Sequence, residues 1–263
     1  MARELGFLKV QDHRIEYELI RGPSSEAPWL VFLHEGLGSL AMWKDFPARC
    51  AAATGSNALV YSRYGYGQSD PLGGPRTVTF MHDEALKALP ELLDQFGIDR
   101  PTLFGHSDGA SIALVHAGAN VRPIRSLILL APHVFVEDFA IRAIEATRRN
   151  YLTTNLRDKL ARYHADPDSA FWGWNDIWLH PDFRAWNIEE YLSRIECPVL
   201  AIQGEDDEYG TMEQIDRMAR AVPRIEVLKL KNCGHSPHRD QPDAVIERVV
   251  QTRKDARTPS SVS

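Results

Sequence analysis

Cysteine is scarce in this chain of 263 residues, which holds only Cys50, Cys197 and Cys233. An odd number at wide spacing builds neither a disulfide framework nor a zinc knuckle, and the thiols read as inert groups of a reducing compartment. Concentrated basic charge is missing too. Lys and Arg total 30 against 36 Asp and Glu, a net charge of −6, and no Lys/Arg cluster offers a face to a phosphate backbone, so nucleic acid is not an expected partner. Long apolar runs are equally absent: nothing approaches the roughly 20 residues needed to span a bilayer. Residues 1–11 mix Arg3, Glu4 and Lys9 among their apolar residues and form no signal core. The reading is a cytoplasmic protein with no membrane partner. What the chain does have is 44% hydrophobic and 25% charged residues, the balance of a globular body with a large core. Its length suits one large α/β domain carrying a modest insertion.

Short apolar, β-rich runs recur at Trp29–Leu33, Ala58–Tyr61, Thr102–Phe104, Ser126–Leu130, Val199–Ile202 and Ile225–Leu230. Apolarity without period-two alternation predicts strands covered on both faces. Helix-like segments lie between them at Ala41–Ala53, Phe80–Phe96, Ser107–Ala119, Met212–Ala221 and Pro242–Val250. In the second, Leu86, Leu89, Leu93 and Phe96 are expected to form one apolar face. Alternation of strand and helix predicts a mostly parallel sheet with right-handed crossovers. The alternation stops between Pro132 and Cys197, where Val136, Phe139, Ile144, Thr147 and Tyr151 suggest one helical face and Leu152, Leu156, Leu160 and Tyr163 another. The expected organisation is a core of residues 1–132 and 197–254, a helical lid at 133–196, and a disordered polar tail at 255–263.

The strongest local signal is Gly105-His106-Ser107-Asp108-Gly109, after the strand ending at Phe104 and opening the following helix. A serine on such a turn is strained, and the glycines two positions away let neighbouring segments pass. Its hydroxyl is a weak nucleophile at neutral pH and needs a base and a site for developing negative charge. A glycine-flanked N-cap serine is the plainer reading of the five residues alone; the flanking strand, helix and partner loops favour the nucleophile. His106 is expected to point into the sheet packing and is given no chemistry.

Asn232-Cys233-Gly234-His235-Ser236-Pro237-His238 puts His235 on a loop after the last strand, the edge where catalytic groups gather in open α/β sheets. His235 is the preferred general base and His238 the alternative. Gly204-Glu205-Asp206-Asp207-Glu208 supplies the acid that must orient the imidazole. Asp207 is preferred, with Asp206 as alternative. The order Ser, Asp, His is that expected for an α/β-hydrolase. The loop His34-Glu35-Gly36-Leu37-Gly38-Ser39 follows the strand ending at Leu33, and the N–H of Gly36 would join that of Asp108 in holding an oxyanion.

With these loops, and Ser62-Arg63-Tyr64-Gly65-Tyr66-Gly67-Gln68-Ser69, which looks like an Arg-Gly-x-Gly-x-Ser turn, the sequence from about Arg14 to Val250 resembles the α/β-hydrolase superfamily, specifically its lidded serine esterases and carbon–carbon bond hydrolases. The resemblance implies an eight-stranded, mostly parallel sheet with one antiparallel strand, flanking helices, a small helical lid, and no metal or organic cofactor. Glu35 departs from the family's His-Gly pair. It is expected either to turn into a hydrogen bond with its loop or to shape substrate acceptance.

Trp172, Trp174, Trp178 and Trp186 crowd the lid, and Phe171, Trp174 and Trp178 at helical spacing would put an aromatic face over the nucleophile. Glu35, Leu37, Trp172, Trp174 and Trp178 are the expected substrate contacts, around an apolar or aromatic group. The expected function is a serine hydrolase cleaving a small-molecule ester, lactone or thioester through an acyl-enzyme on Ser107. Carbon–carbon cleavage of a dienoate diketone, cofactor-free oxygenation and hydrolase-like ligand reception are the alternatives on the same scaffold. A dinucleotide enzyme read from Gly36-Leu37-Gly38-Ser39-Leu40-Ala41 leaves Ser107, Asp207 and His235 unexplained. Oligomeric state and natural substrate are not legible.

Overall fold

Two strands that the apolar runs do not announce begin the chain. The computed structural model describes residues 2–255 and, of these, the side chains of 2–252. β1 (Arg3–Val10) and β2 (His13–Ile20) form an antiparallel hairpin. Its two-residue loop, Gln11-Asp12, takes φ of 48° and 66°, the twist a tight hairpin requires. The six predicted runs follow as β3 (Trp29–Leu33), β4 (Asn57–Tyr61), β5 (Thr102–His106), β6 (Ser126–Leu130), β7 (Val199–Gly204) and β8 (Ile225–Leu230). Together they make one eight-stranded sheet in the order β1-β2-β4-β3-β5-β6-β7-β8. β2 runs antiparallel to both its neighbours, and from β4 to β8 every pairing is parallel.

Alternate side chains of the central strands feed two cores. Val31, Leu33, Leu103, Leu127 and Leu129 face one side of the sheet. Leu30, Phe32, Phe104, Ile128 and Leu130 face the other, under Trp43, Phe46, Val245 and Val249. This double burial is why these strands read as continuous apolar runs. On the second side pack α1 (Phe46–Thr54) and, at the chain's end, α11 (Pro242–Asp255).

The segment predicted as one helix at Phe80–Phe96 is α2 (Phe80–Asp83), a π-helical turn (Glu84–Ala88) and α3 (Leu89–Gln95). The N–H of Leu89 bonds Glu84 O, and Pro90, which has no N–H, follows at once; the lost donor favours the widened turn. The turn rotates the apolar face, so Leu86 is 37% exposed rather than buried with Leu89 and Leu93. α4 (Asp108–Gly118) follows β5 and is buried along its whole length.

Between β6 and β7 the chain forms α5 (Asp138–Thr153), α6 (Leu156–Leu160), α7 (Pro167–Trp178), a 3-10 turn (Pro181–Ala185) and α8 (Glu189–Leu192). None of these segments adds a strand to the sheet. The expected faces shift here: α5 buries Ala140, Ile141, Ile144 and Tyr151 while Phe139 is 38% exposed, and Leu152, in the last turn of α5 and not on a face shared with α6, is 66% exposed. α9 (Met212–Ala221) and the short α10 (Pro237–Asp240) complete the core. Among the described residues no helix is long and apolar enough to cross a membrane. The predicted tail, 255–263, lies outside the described residues but for the backbone of residue 255.

Candidate active site

Ser107 sits between the end of β5 and the start of α4 with φ 53° and ψ −118°, a conformation costly for a side-chain-bearing residue and held only by firm surroundings. Those surroundings are identifiable. A Cβ on Gly105 would lie 2.5 Å from Ala110 Cα, and one on Gly109 would overlap the carbonyl of Leu33. Both glycines therefore set the distance between β5, α4 and β3. Gly109→Ala is expected to lower the unfolding free energy by about 1–3 kcal/mol, read as a lower urea midpoint at unchanged slope; an unaltered midpoint would mean the backbone has slack there.

The C-terminal ends of three strands then converge. His235 Nε2 lies 2.9 Å from Ser107 Oγ, and His235 Nδ1 lies 2.8 Å from Asp207 Oδ1. Asp207 is buried, and its carboxylate also accepts from Tyr209 N at 2.8 Å, Gly210 N at 3.2 Å and Gln203 Nε2 at 3.2 Å. Burial opposes its charge, but His235 and the Tyr209 N–H outweigh burial and hold it below the usual carboxylate range. Burial likewise opposes charge on His235, and Asp207 overcomes it, raising the imidazole above its ordinary 6.5. Asp206 is exposed and uses its N–H on Cys233 O at 3.0 Å. His238 is buried and its Nδ1 is unpartnered among the described residues; burial pushes it down to about 3. Neither alternative joins Ser107.

The loop after β3 is fixed from behind by Arg63, whose Nη2 donates to Glu35 O at 2.9 Å and His34 O at 3.2 Å. His34 Nε2 accepts the Arg63 N–H at 3.0 Å. These bonds occupy the carbonyls of His34 and Glu35, and among the described residues the N–H groups of Gly36 and Asp108 donate to no protein acceptor.

One expectation about this region is completed and another corrected. His106 points into the packing as expected, its side chain wholly buried beside Trp43 and His238, but it is also bonded there: its Nδ1 contacts Glu35 Oε2, and its Nε2 lies 2.7 Å from the carbonyl of His235. Glu35 finds its partner there, on the elbow, rather than within its own loop. Burial would raise the Glu35 carboxyl, but His106 outweighs it and holds the group well below its ordinary 4.5. A depressed carboxyl stabilises the fold above the unfolded-state value and loses that contribution as pH falls through the native one. Glu35→Gln is thus expected to destabilise by about 1–3 kcal/mol near neutral pH, and the deficit should shrink in acid unfolding series below the ordinary 4.5. A gap independent of pH would remove the ion-pair explanation. With His238, the two residues bring three ligand-type atoms within 4.8 Å of one another; Glu35 and His106 are already committed to each other, and His238 meets them through a ring contact with His106. The sequence signal for it was the histidine inside the elbow facing the acid that replaces glycine.

Ser107 opens on a cavity of about 250 Å³ lined by Glu35, Leu37, Ile144, Trp174, Trp178 and Tyr209, with Glu208 and Arg239 as its exposed members. Trp174 lies so close over Gly36 that a Cβ there would enter the indole. Trp178 Nε1 donates to Asp108 Oδ1 at 3.2 Å. Trp172 is a further correction: it is absent from this wall, packing instead against Tyr151 and Phe171 with Arg148 over its ring. Phe171 stacks on Tyr151 with centroids 3.6 Å apart, so of the predicted aromatic face only Trp174 and Trp178 reach the cavity. Missed altogether were Tyr209, His133 and His164. His164 bonds Gly67 N at 3.0 Å and Leu37 O at 3.1 Å, tying the helical segment to the loop. A larger cavity of about 450 Å³ beside Tyr61, Arg63, Phe80 and Glu84 lacks a serine or cysteine in its lining.

Comparison with known proteins identifies the family and the fold. The family model described as alpha/beta hydrolase family matches residues 30–248. The chain is 34% identical over 289 residues to a proline iminopeptidase of Saccharolobus solfataricus, covering 94% of this chain and 91% of that protein. It is 23% identical over 257 residues to a 2-hydroxy-6-oxononadienedioate/2-hydroxy-6-oxononatrienedioate hydrolase of Pseudomonas putida, covering 87% and 89%. Among solved structures, naproxen esterase from Bacillus subtilis superposes with a TM-score of 0.75 at 21% identity, covering 96% and 92%. Sheet order, elbow and family match agree, and the chain belongs to the alpha/beta hydrolase family.

Proposed function

We propose that this protein is a serine hydrolase that cleaves small carboxylic esters through an acyl-enzyme on Ser107. The observation that carries the reading is the strained Ser107 with its Oγ 2.9 Å from His235 Nε2, while His235 Nδ1 is held by buried Asp207. In the first step Ser107 Oγ bonds the ester carbon and its proton passes to His235 Nε2. The tetrahedral oxyanion is received by the N–H groups of Gly36 and Asp108. As the carbon–oxygen bond to the alcohol breaks, His235 returns the proton to the departing oxygen. Water then attacks the acyl-enzyme, with His235 again taking and returning a proton, and the acid is released. Asp207 keeps the imidazole in the tautomer that presents a bare Nε2 to the serine and stabilises the imidazolium.

The segment between β6 and β7 acts as a lid, with Trp174 and Trp178 walling the acyl site. A cavity of about 250 Å³ lies below the range of drug-sized sites and suits a short acyl group, smaller than the aromatic group expected from tryptophan content alone. Carbon–carbon cleavage of a dienoate diketone fits less well, as does a dioate like that in the name of the Pseudomonas putida relative. A dianionic substrate would meet Glu35, Asp108 and Glu208 with Arg239 as the one Lys or Arg in the lining. The test is a series of p-nitrophenyl esters from acetate to octanoate, alongside a fluorophosphonate probe and peptide mapping. The expected result is label on Ser107 and kcat/KM that peaks at short chains. Label elsewhere, or none, sinks the reading.

A further inference from the structure

We infer that the side chain of Asp108 forms an ammonium subsite, making the preferred acyl group a small 2-amino acyl group. This rests on the acyl-enzyme reading above and assigns the chemistry of its substrate.

Asp108 is 1% exposed and lines the Ser107 cavity. Oδ1 has the Trp178 N–H, but Oδ2 is buried and accepts no hydrogen bond among the described residues. An unpaired buried acceptor of this kind is costly and uncommon, and a charged one more so. Its position is specific: Oδ2 would lie 3.2 Å from a Cβ on Gly36, next to the loop whose N–H is assigned to the carbonyl oxygen. A substituent on the carbon adjoining the scissile carbonyl is therefore brought beside Oδ2.

The charge of the cavity selects the kind of donor. Its lining includes three carboxylates, Glu35, Asp108 and Glu208, against Arg239; Glu35 is engaged by His106, whereas Asp108 has no cationic partner in bonding contact. Burial pushes the Asp108 carboxyl up, and the nearby Arg63 and Arg76 pull it partly back toward the ionised form without bonding it. An ammonium supplies both the missing donor and the missing charge. His133, 3% exposed with an unpartnered Nδ1, adds a second acceptor on the same wall; burial pushes it down to about 3, so it stays neutral.

The experiment compares p-nitrophenyl esters of alanine, 2-hydroxypropionate and isobutyrate, which differ in the one substituent at that carbon. Rates are corrected for uncatalysed hydrolysis. A charge-assisted hydrogen bond to a buried partner predicts a kcat/KM preference for the alanine ester over the isobutyrate ester of about 10- to 100-fold. Asp108→Asn keeps an oxygen for the Trp178 N–H, and the preference should fall to within a few-fold of unity. An isobutyrate ester cleaved as well as the alanine ester, a preference untouched by Asp108→Asn, or a hydroxy ester preferred to both overturns the ammonium assignment. Calorimetric titration of L-alaninamide into Ser107→Ala separates the two readings. Binding that is lost in Ser107→Ala/Asp108→Asn supports the subsite even if no ester is turned over, an outcome that would overturn only the hydrolase reading. No binding to Ser107→Ala overturns the subsite.

Discussion

Ser107→Ala is expected to lower kcat for activated esters by about 10⁶-fold, as removal of a nucleophile does where serine, histidine and acid act as a unit. The methyl group fills less space than the hydroxymethyl and leaves the turn in place, so thermal stability should not fall. Relief of the polar group at a φ of 53° does not relieve the backbone itself, because alanine is equally disfavoured there. A residual rate of about 10³–10⁴ over water is expected from the oxyanion donors and binding alone. The measurement is burst-phase stopped flow: wild type shows one equivalent of alcohol released ahead of steady state, and the variant shows none. A persisting burst would place the acyl group on another residue.

Asp207→Asn is the second large effect, with kcat expected to fall about 10⁴-fold because the amide favours the wrong imidazole tautomer. It also carries a signature in pH. His235 must be neutral to accept the serine proton, so kcat/KM rises with pH through the native imidazole value, which Asp207 holds above 6.5. Removing the carboxylate removes the charge that raises it, while burial, which lowers it, remains. The acidic limb should therefore move to lower pH even as the plateau collapses. Asp206→Asn is the control, since that side chain is exposed and away from His235, and it should change neither plateau nor midpoint. An unshifted limb in Asp207→Asn would mean that another group sets the titration.

How far the sequence carried these conclusions differs by region, for physical reasons. The strands β3 to β8 were legible because both faces are buried, which leaves a run of apolar residues with no periodic interruption. The hairpin of β1 and β2 was not. Leu5 and Phe7 lie 69% and 48% exposed on an edge strand, which opens on Arg3-Glu4 and carries Gly6 between them, and the turn is Gln11-Asp12 rather than a glycine-bearing pair. Ser107, Asp207 and His235 could be singled out because each lies within a few residues of a strand's end in a segment that carries glycine, and at Gly105, Gly109 and Gly204 a Cβ would collide with backbone. Cavity membership could not, since it depends on the rotation of helices in the segment between β6 and β7. Periodicity put Trp172, Trp174 and Trp178 together, but α7 turns Trp172 toward Tyr151 and only the other two inward. Leu86 failed for a related reason: a five-residue π turn alters the phase of every residue after it.

The bolting of roof to floor has a consequence for traffic. Trp178 is bonded to the residue following the nucleophile, Trp174 rests on Gly36, and His164 clasps the Leu37 carbonyl. Swinging the helices aside would break all of these anchors at once. Glu208 and Arg239 are the members of the cavity lining that are exposed to solvent. An approach to the cavity past this anion and cation is expected to depend on the charge of the arriving molecule, so the arrival rate of ionic substrates, unlike the turnover of neutral ones, should respond to added salt.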